Sequence, residues 1–579
     1  MCMNKKLIFA ACFLSAGFAL SAQEALKSVE EEYYDFLALD GVTERPALNY
    51  RTMSNSIWTI REDKTDGNEL NPNVWADKNM GSFYSILDHN DLDTNRIAKT
   101  LDRSITIRVY GPEIFTSYNS KVPFGYNDGA LWQGRGWNTS LTAGIRAQGY
   151  GFSLTFKPQY AVSQNKSFDI MKSANPNQWG YFMNGCDAPQ RFGDDTYKIF
   201  DWGDTDIRYT WKCLTVGFGT QPVWSGPAQE NPVLFSNNAV NFPKFDFGIN
   251  RTTMHVPYFG WYLGDFEMHY LIGKTTESDF FDTDDSNDHN QYTLFTVSYA
   301  PSFLPGLNIG LTKICMNKWG DKFWQYAYPG FYGNTIANGE SGEDGKAALT
   351  AEWLFTKVGL DIYGELGVDD FLSKGVKFYE YARYPWHTVT YTFGLKKSMN
   401  VSRKYGLRGM LAFEWNNTEA SQDYQMWPGS AYLFGSHHQI TQGYTNGGQW
   451  LGSGIGYGGN QQKLTFTLYS NHGYEKFIIG RNNPNNNYIW EKGNDDPGTS
   501  TTDLAYRYFT AFKANFFVGF ENLYFVTKDF SIKFQYMYDL VINPLYDPGI
   551  SGYGTNGAIY REYNYLKNHH IEFLVKYNF

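Results

Sequence analysis

The last eleven residues, His569 to Phe579, constrain this chain more than any other stretch. Ile571, Phe573, Val575, Tyr577 and Phe579 take every second position, with Glu572, Leu574, Lys576 and Asn578 between them. Successive side chains of a strand point to opposite faces, so one face is wholly apolar and the other mostly polar. A strand of a soluble sandwich can carry this pattern. A strand of roughly ten residues that crosses a bilayer requires it: the outer face meets lipid, the inner face meets a polar lumen, and the backbone pairs within a closed sheet.

The other end of the chain implies export. Lys5 and Lys6 form a short basic start, Leu7 to Leu20 is apolar, and Ser21-Ala22-Gln23 offers small residues for cleavage. Residues 1–22 therefore read as a signal peptide, cut after Ala22. Cys12 follows Ala10-Ala11 without a Leu three positions earlier, which argues against lipidation. No other segment approaches 18 consecutive apolar residues, so the remaining chain is not expected to cross a membrane as helices. The mean hydropathy of -0.46 does not exclude a barrel, since half of each strand faces a polar interior.

Aromatic residues make up 18% of the chain (44 Tyr, 44 Phe and 17 Trp), as suits rings that sit at the two membrane–water boundaries. The net charge of -10 argues against nucleic acid as a partner, since its phosphates would need an extended basic surface. Beyond the signal, Cys186, Cys213 and Cys315 are too far apart for a zinc pattern. They leave open one disulfide or three inert thiols.

Residues 23–100 differ from the rest. Glu24 to Leu39 carries Leu26, Val29, Tyr33, Phe36, Leu37 and Leu39 near one helical face, and Gly41 would stop the helix. Asp91 to Leu101 is a second helical candidate. From residue 101 onward the period becomes two: Ile105, Ile107 and Val109; Phe152, Leu154 and Phe156; Ile207, Tyr209 and Trp211; Leu307, Ile309 and Leu311. Val358, Leu360 and Ile362 continue it, as do Val389 to Leu395, Leu407 to Trp415, Leu464 to Leu468 and Phe530 to Tyr538. Alternation broken by turn signals predicts antiparallel strands. About 480 residues at some 27 per strand and connection give about 18 strands, within a range of about 16 to 18. The expected fold is thus an all-β membrane protein: a large antiparallel barrel over 101–579, with the small N-terminal helical segment on its periplasmic side. Long outer loops are expected at 161–203, 275–291, 328–346, 417–461 and 480–503.

Several motifs are weaker than they look. Gly454, Gly456 and Gly459 match a dinucleotide-binding spacing, but lack a strand-then-helix context and read as flexible outer loop. Asp282 to Asp288 resembles the start of a calcium loop, yet Gly is missing at its sixth position and Glu at its twelfth, Thr293, so it reads as a solvated charge run. His437-His438 and His569-His570 are adjacent and cannot chelate together on a strand. No nucleophile elbow or carboxylate pair appears. We therefore expect neither an enzyme nor a cofactor or metal.

Three segments are chemically dense: Asn119 to Leu141, Phe200 to Trp211, and Gly219 to Phe247. They combine Trp with Asn, Asp, Gln and Arg. Indole faces suit the C–H faces of sugars, and carboxylates, amides and guanidinium suit their hydroxyl or carboxylate groups. The candidate polysaccharide-binding residues are Asp128, Trp132, Gln133, Arg135, Asn138, Asp204, Arg208, Trp224, Asn237 and Asn238. A second reading has Arg135, Asp204, Asp206 and Arg208 forming a charge ladder that locks the barrel from inside; the two are compatible.

These segments carry a resemblance. Tyr33-Tyr34-Asp35-Phe36-Leu37 with Leu48-Asn49-Tyr50-Arg51, Ser117-Tyr118-Asn119-Ser120 through Arg135-Gly136, and Trp202-Gly203-Asp204 through Pro243-Lys244-Phe245-Asp246 resemble the capsule assembly family of the Wzi type. The end of the chain is similar to the terminal assembly signal of outer-membrane barrels, on Phe573, Val575, Tyr577 and Phe579. The resemblance implies an 18-stranded outer-membrane barrel with its periplasmic mouth capped by N-terminal helices. It also implies a lectin-like role: holding capsular or other surface polysaccharide on the cell. The implied partners are that polysaccharide, outer-membrane lipids and the barrel assembly machinery. The alternative function is a porin-like channel for sugars or other small solutes.

Overall fold

The computed structural model describes residues 28–61, 72–87, 104–183, 185–320, 323–327, 342–369, 378–421, 423, 434–489, 512–546, 550–553 and 559–579. The expected signal peptide and the helical candidate Asp91 to Leu101 lie outside the described residues.

Eighteen antiparallel strands close into a barrel. The first nine are β1 (Ile105–Asn119), β2 (Gly136–Gly149), β3 (Phe152–Phe156 and Gln159–Ser163), β4 (Tyr197–Asp201 and Asp206–Trp211), β5 (Leu214–Gly219), β6 (Lys244–His255), β7 (Tyr262–Thr276), β8 (His289–Pro301) and β9 (Leu307–Lys318). The second nine are β10 (Glu343–Phe355), β11 (Leu360–Asp369), β12 (Thr390–Ser402), β13 (Leu407–Asn417), β14 (Asn460–Ser470), β15 (Gly473–Asn483), β16 (Ala514–Phe525), β17 (Phe530–Ile542) and β18 (Tyr565–Tyr577). Each pairs with its sequence neighbour, and β18 closes the circle on β1 through His570↔Asn119 to Lys576↔Glu113. Closure leaves no open edge facing lipid. Val358 and Val389, read as strand residues from the alternation, fall just outside β11 and β12, because the turns before them consume one to two residues.

The terminal strand behaves as its sequence predicts. Phe573 and Tyr577 are exposed on the outer wall, while Asn568, His570 and Glu572 are buried inside. At one end of the barrel the connections are tight, as at 150–151, 212–213, 356–359 and 471–472; at the other they are long. Barrels of this kind keep short turns on the periplasmic side, which orients the molecule. The loop expected at 161–203 is shorter than its polar composition suggests, since β3 runs to Ser163 and β4 starts at Tyr197.

The hydrophobic core lies inside the lumen. Helix α1 (Val29–Leu39) begins at Ser28, whose hydroxyl accepts from the Glu31 N–H, and ends where Gly41 adopts φ +70°. All of its large apolar residues from Tyr33 onward are buried. Tyr33 stacks on Trp75 at 3.9 Å and Phe36 on Tyr469 of β14 at 4.3 Å. The Trp75 indole N–H donates to the Ser470 carbonyl at the periplasmic turn. Ion pairs fix the polar side of this segment to the wall: Asp35 with Lys396, Arg45 with Glu352 and Asp361, Glu32 with Lys476, and Glu30 with Lys576. The periplasmic mouth is thereby capped.

A second cluster fills the extracellular half, where loops fold inward. Tyr181, Phe182, Val233, Leu234, Phe235, Tyr444, Leu451 and Tyr457 pack against Leu271, Tyr292, Leu294, Ile314 and Met316 of the wall. The Gly-rich stretch around Gly454 to Gly459 is therefore packed structure and not the flexible loop its composition suggests. Tyr457 is fully buried and its hydroxyl donates to the Val233 carbonyl.

Candidate functional site

Between the two cores a cavity of about 550 Å³ remains on the β13–β18 side of the lumen. It extends from Trp450 and Asn485 under the loops to Glu32 on α1. Its extracellular part is built chiefly by three inward loops, with Tyr181, Phe182 and residues 188–190 of the loop joining β3 to β4 beside them. The first, joining β1 to β2, supplies Tyr126, Asn127, Asp128, Trp132 and Gln133. Asn119 ties the base of this loop by donating to the carbonyls of Phe124, Gln133 and Gly134. Gln159 of β3 holds its middle, accepting from the Ala130 N–H and donating to the Asp128 carbonyl.

The second loop, joining β5 to β6, is fixed by two buried carboxylates of the wall. Glu365 accepts from the backbone N–H of Ala228 and Val233, and Glu414 from those of Gln229, Glu230 and Asn231. Pro232 has no N–H, so every amide donor from 228 to 233 is engaged. The third loop brings Trp450, whose carbonyl accepts from the Asn238 amide.

The polar lining has spare capacity. Among the described residues, the side-chain oxygens of Asn127, Gln133, Asn482 and Asn515 are buried at the cavity and accept no hydrogen bond. Unpaired acceptors of this kind are costly until a donor meets them. The Asp128 carboxyl, bonded to the Gln133 amide at 2.7 Å, is pushed up to about 7 by its burial and by the nearby charge of Glu572.

The ten residues singled out by sequence divide into groups. Asp128, Trp132 and Gln133 line the cavity. Asn237 and Asn238 belong to the loop beside it; the Gly129 N–H donates to the Asn237 carbonyl and the Asn127 N–H to the Asn238 side chain. Arg135 is a brace between loops, donating to the Ser120 and Ser167 carbonyls. Asn138 is fully buried and donates to the Gly134 and Gly136 carbonyls, and Trp224, also fully buried, donates to the Ala228 carbonyl. Asp204 pairs with Lys157, and Arg208 is enclosed by Asp206, Asp246 and Thr215. Trp202 and Trp211 of the second dense segment are exposed on the outer wall.

Sequence reasoning missed Trp450, Asn482 and Asn515. Trp450 sits within a run of Gly and Asn, where an isolated large ring is itself a signal of a packed or binding position. Asn482 and Asn515 carry no such signal. They are neighbours only because β15 and β16 pair, with Asn482 opposite Asn515.

A model of the capsule assembly protein Wzi family matches residues 123–530. The chain belongs to this family. The match spans the three inward loops and most of the barrel. Among solved structures, the fold is similar to Wzi of Escherichia coli, described as an outer-membrane, carbohydrate-binding β-barrel involved in group 1 capsule assembly. The two share 10% identity, 81% of this chain and 85% of that one are covered, and the TM-score is 0.50. A BenF-like porin from Pseudomonas fluorescens and OccK2 from Pseudomonas aeruginosa align less well, each at 9% identity and TM-score 0.35, over 81% of this chain and 97% of theirs. No curated protein sequence matches the chain. Family and fold together make this Wzi-family chain an outer-membrane barrel.

Proposed function

We propose that this barrel holds surface polysaccharide at the cell surface without acting on it chemically, and that a stretch of the glycan engages the cavity beneath the loops. The observation that carries the reading is the pairing of ring faces with unsatisfied acceptors in one place. Trp132 and Trp450 offer indole to sugar C–H faces, while Asn127, Gln133, Asn482 and Asn515 line the same cavity with side-chain oxygens that are buried and unpaired, and a small turn of each amide presents them to sugar hydroxyls. Asp128, Asn237 and Asn238 keep that wall in shape; Arg135, Asn138, Asp204, Arg208 and Trp224 support it from behind. A porin reading finds less support, because α1 and the inward loops occupy the lumen that a solute would cross. Delivery to the membrane rests on the terminal signal at Phe573 to Phe579 and on the assembly machinery that reads it.

The test is retention of the organism's own polysaccharide by cells carrying Trp132→Ala or Trp450→Ala, with heat-modifiable gel migration to verify barrel assembly. Each variant is expected to release most of its polysaccharide while the barrel remains folded. Normal retention by both would overturn this placement of the site.

A further inference from the structure

The periplasmic rim is not uniform. The turn between β6 and β7 exposes Tyr258, Phe259 and Trp261, with Tyr262 and Leu263 following, and the turn between β8 and β9 exposes Phe303 and Leu304. The next turn, between β10 and β11, exposes Lys357 and Val358 beneath a stacked pair of rings, Trp353 on Phe355 at 4.9 Å. The one after it, between β12 and β13, exposes Arg403, Lys404 and Tyr405, with the Lys404 ammonium 5.0 Å from the Tyr405 ring. Strand order makes these four turns consecutive along the rim. At about 4.8 Å per strand they span roughly 30 Å.

The charges of this arc are unbalanced. Among the described residues no carboxylate pairs with Lys357, Arg403 or Lys404, whereas the acids nearest this arc are already engaged. Glu352 and Asp361 face inward onto Arg45, Asp265 holds Arg251, and Glu44 is shared by Arg61 and Arg251. Rings at the headgroup level and cations beyond them form the pattern that an anionic lipid surface recognises.

We propose that this arc binds anionic phospholipid headgroups of the inner leaflet, with the rings from Tyr258 to Phe303 seated at the acyl boundary and Lys357, Arg403 and Lys404 on the phosphates. The arc then fixes the height of the barrel in the membrane on one side. It does not depend on what the extracellular loops bind.

The experiment reconstitutes the full mature protein in bilayer discs of mixed phosphatidylethanolamine and phosphatidylglycerol, and counts by native mass spectrometry the lipids that survive extraction. A variant carrying Lys357→Gln, Arg403→Gln and Lys404→Gln is compared with one carrying Lys166→Gln and Lys528→Gln, two exposed cations outside the arc. Each basic residue at an anionic surface is worth about five-fold. The first variant should therefore lose its preference for phosphatidylglycerol by at least about ten-fold, the second should keep it, and added salt should erode it in the wild type. In a parallel measurement, brominated acyl chains should quench wild-type fluorescence more than that of Trp261→Phe. No preference in the wild type, equal behaviour of the two variants, or displacement by soluble glycerol phosphate would each overturn the proposal. So would a dimer of the protein held through the same arc.

Discussion

The carboxylate of Glu414 should control whether the loop joining β5 to β6 stays docked in the extracellular half of the lumen. It lies on β13, buried, and gathers the N–H groups of Gln229 at 2.7 Å, Glu230 at 3.1 Å and Asn231 at 2.8 Å, with the Tyr363 hydroxyl at 2.9 Å as a fourth donor. In Glu414→Ala three backbone donors lose their partner where the neighbouring groups offer no substitute. At about 1–3 kcal/mol for each orphaned donor, the docked loop loses about 3–9 kcal/mol. Against this stand its apolar anchors Val233, Leu234 and Phe235, all buried, each worth about 1.5–3 kcal/mol. The two sides are of similar size, so the loop should fluctuate out of the lumen without leaving it permanently. Hydrogen exchange of the amides over 228–235 should be slow in the wild type and markedly faster in Glu414→Ala, and Glu365→Ala combined with Glu414→Ala should speed it further, since all the amide donors of 228–233 are then released. Unchanged exchange in Glu414→Ala would refute the view that these hydrogen bonds hold the loop. In planar bilayers the wild type and both variants should be closed or barely conducting while α1 caps the periplasmic mouth, and large steady steps from the wild type would refute the seal itself.

Two further outcomes can be checked. Glu277, just beyond β7, is pushed up to about 9 by burial and by the surrounding Asp282, Asp187, Asp288 and Asp284, and Asp187 is pushed up to about 6, chiefly by burial. The loop joining β7 to β8, which Ser278 ties to Asp187, binds these protons more tightly in place than when released, so its packing is strongest below the ordinary carboxylate range and weakens as pH rises through about 9. Amide exchange over 278–288, corrected for its intrinsic pH dependence, should therefore be faster at high pH, and Glu277→Gln should flatten the profile. Arg208→Met removes the partner of two buried carboxylates and should cost about 3–5 kcal/mol, seen as a lower temperature of heat-modified migration. Loss of polysaccharide with unchanged migration would instead make Arg208 a contact.

Much of the barrel was legible because lipid imposes a period. On β18 the alternation from Ile571 to Phe579 is interrupted on the inner face only by Leu574 and the reading follows directly, while β5, where Leu214, Val216 and Phe218 face out and Thr215 and Gly217 face in, has the same period although the sequence reading did not single it out. The candidate site was legible only in part. Trp132 and Gln133 belong to one dense segment, so composition alone brings them forward. Trp450, Asn482 and Asn515 join them only through loop folding and strand pairing, which no local pattern records. Arg208 and Asn138 read as candidate ligand contacts for the same reason that they serve as braces here: a polar side chain that must be satisfied inside a barrel and one that awaits a sugar are chemically alike.

The strands that sequence reasoning passed over are informative in themselves. In β15, Tyr474 and Ile478 are buried inward beside Lys476, while Phe477 and Ile479 face out, so neither face reads as polar. The same holds for Leu271 of β7 and for Tyr292 and Leu294 of β8, all buried against the inward loops, and β9, whose alternation is legible from Leu307 to Leu311, loses it at Ile314 and Met316 for the same reason. A lumen filled with water would favour polar residues at these positions and keep the alternation strict. An inward apolar residue is stable only where protein covers it. Broken alternation in a barrel strand thus marks the height at which the lumen is packed. On β7 to β9 that height is the extracellular half, where Phe235 and Phe242 meet Tyr292. The plug was therefore written in the sequence, in the positions where the barrel pattern fails.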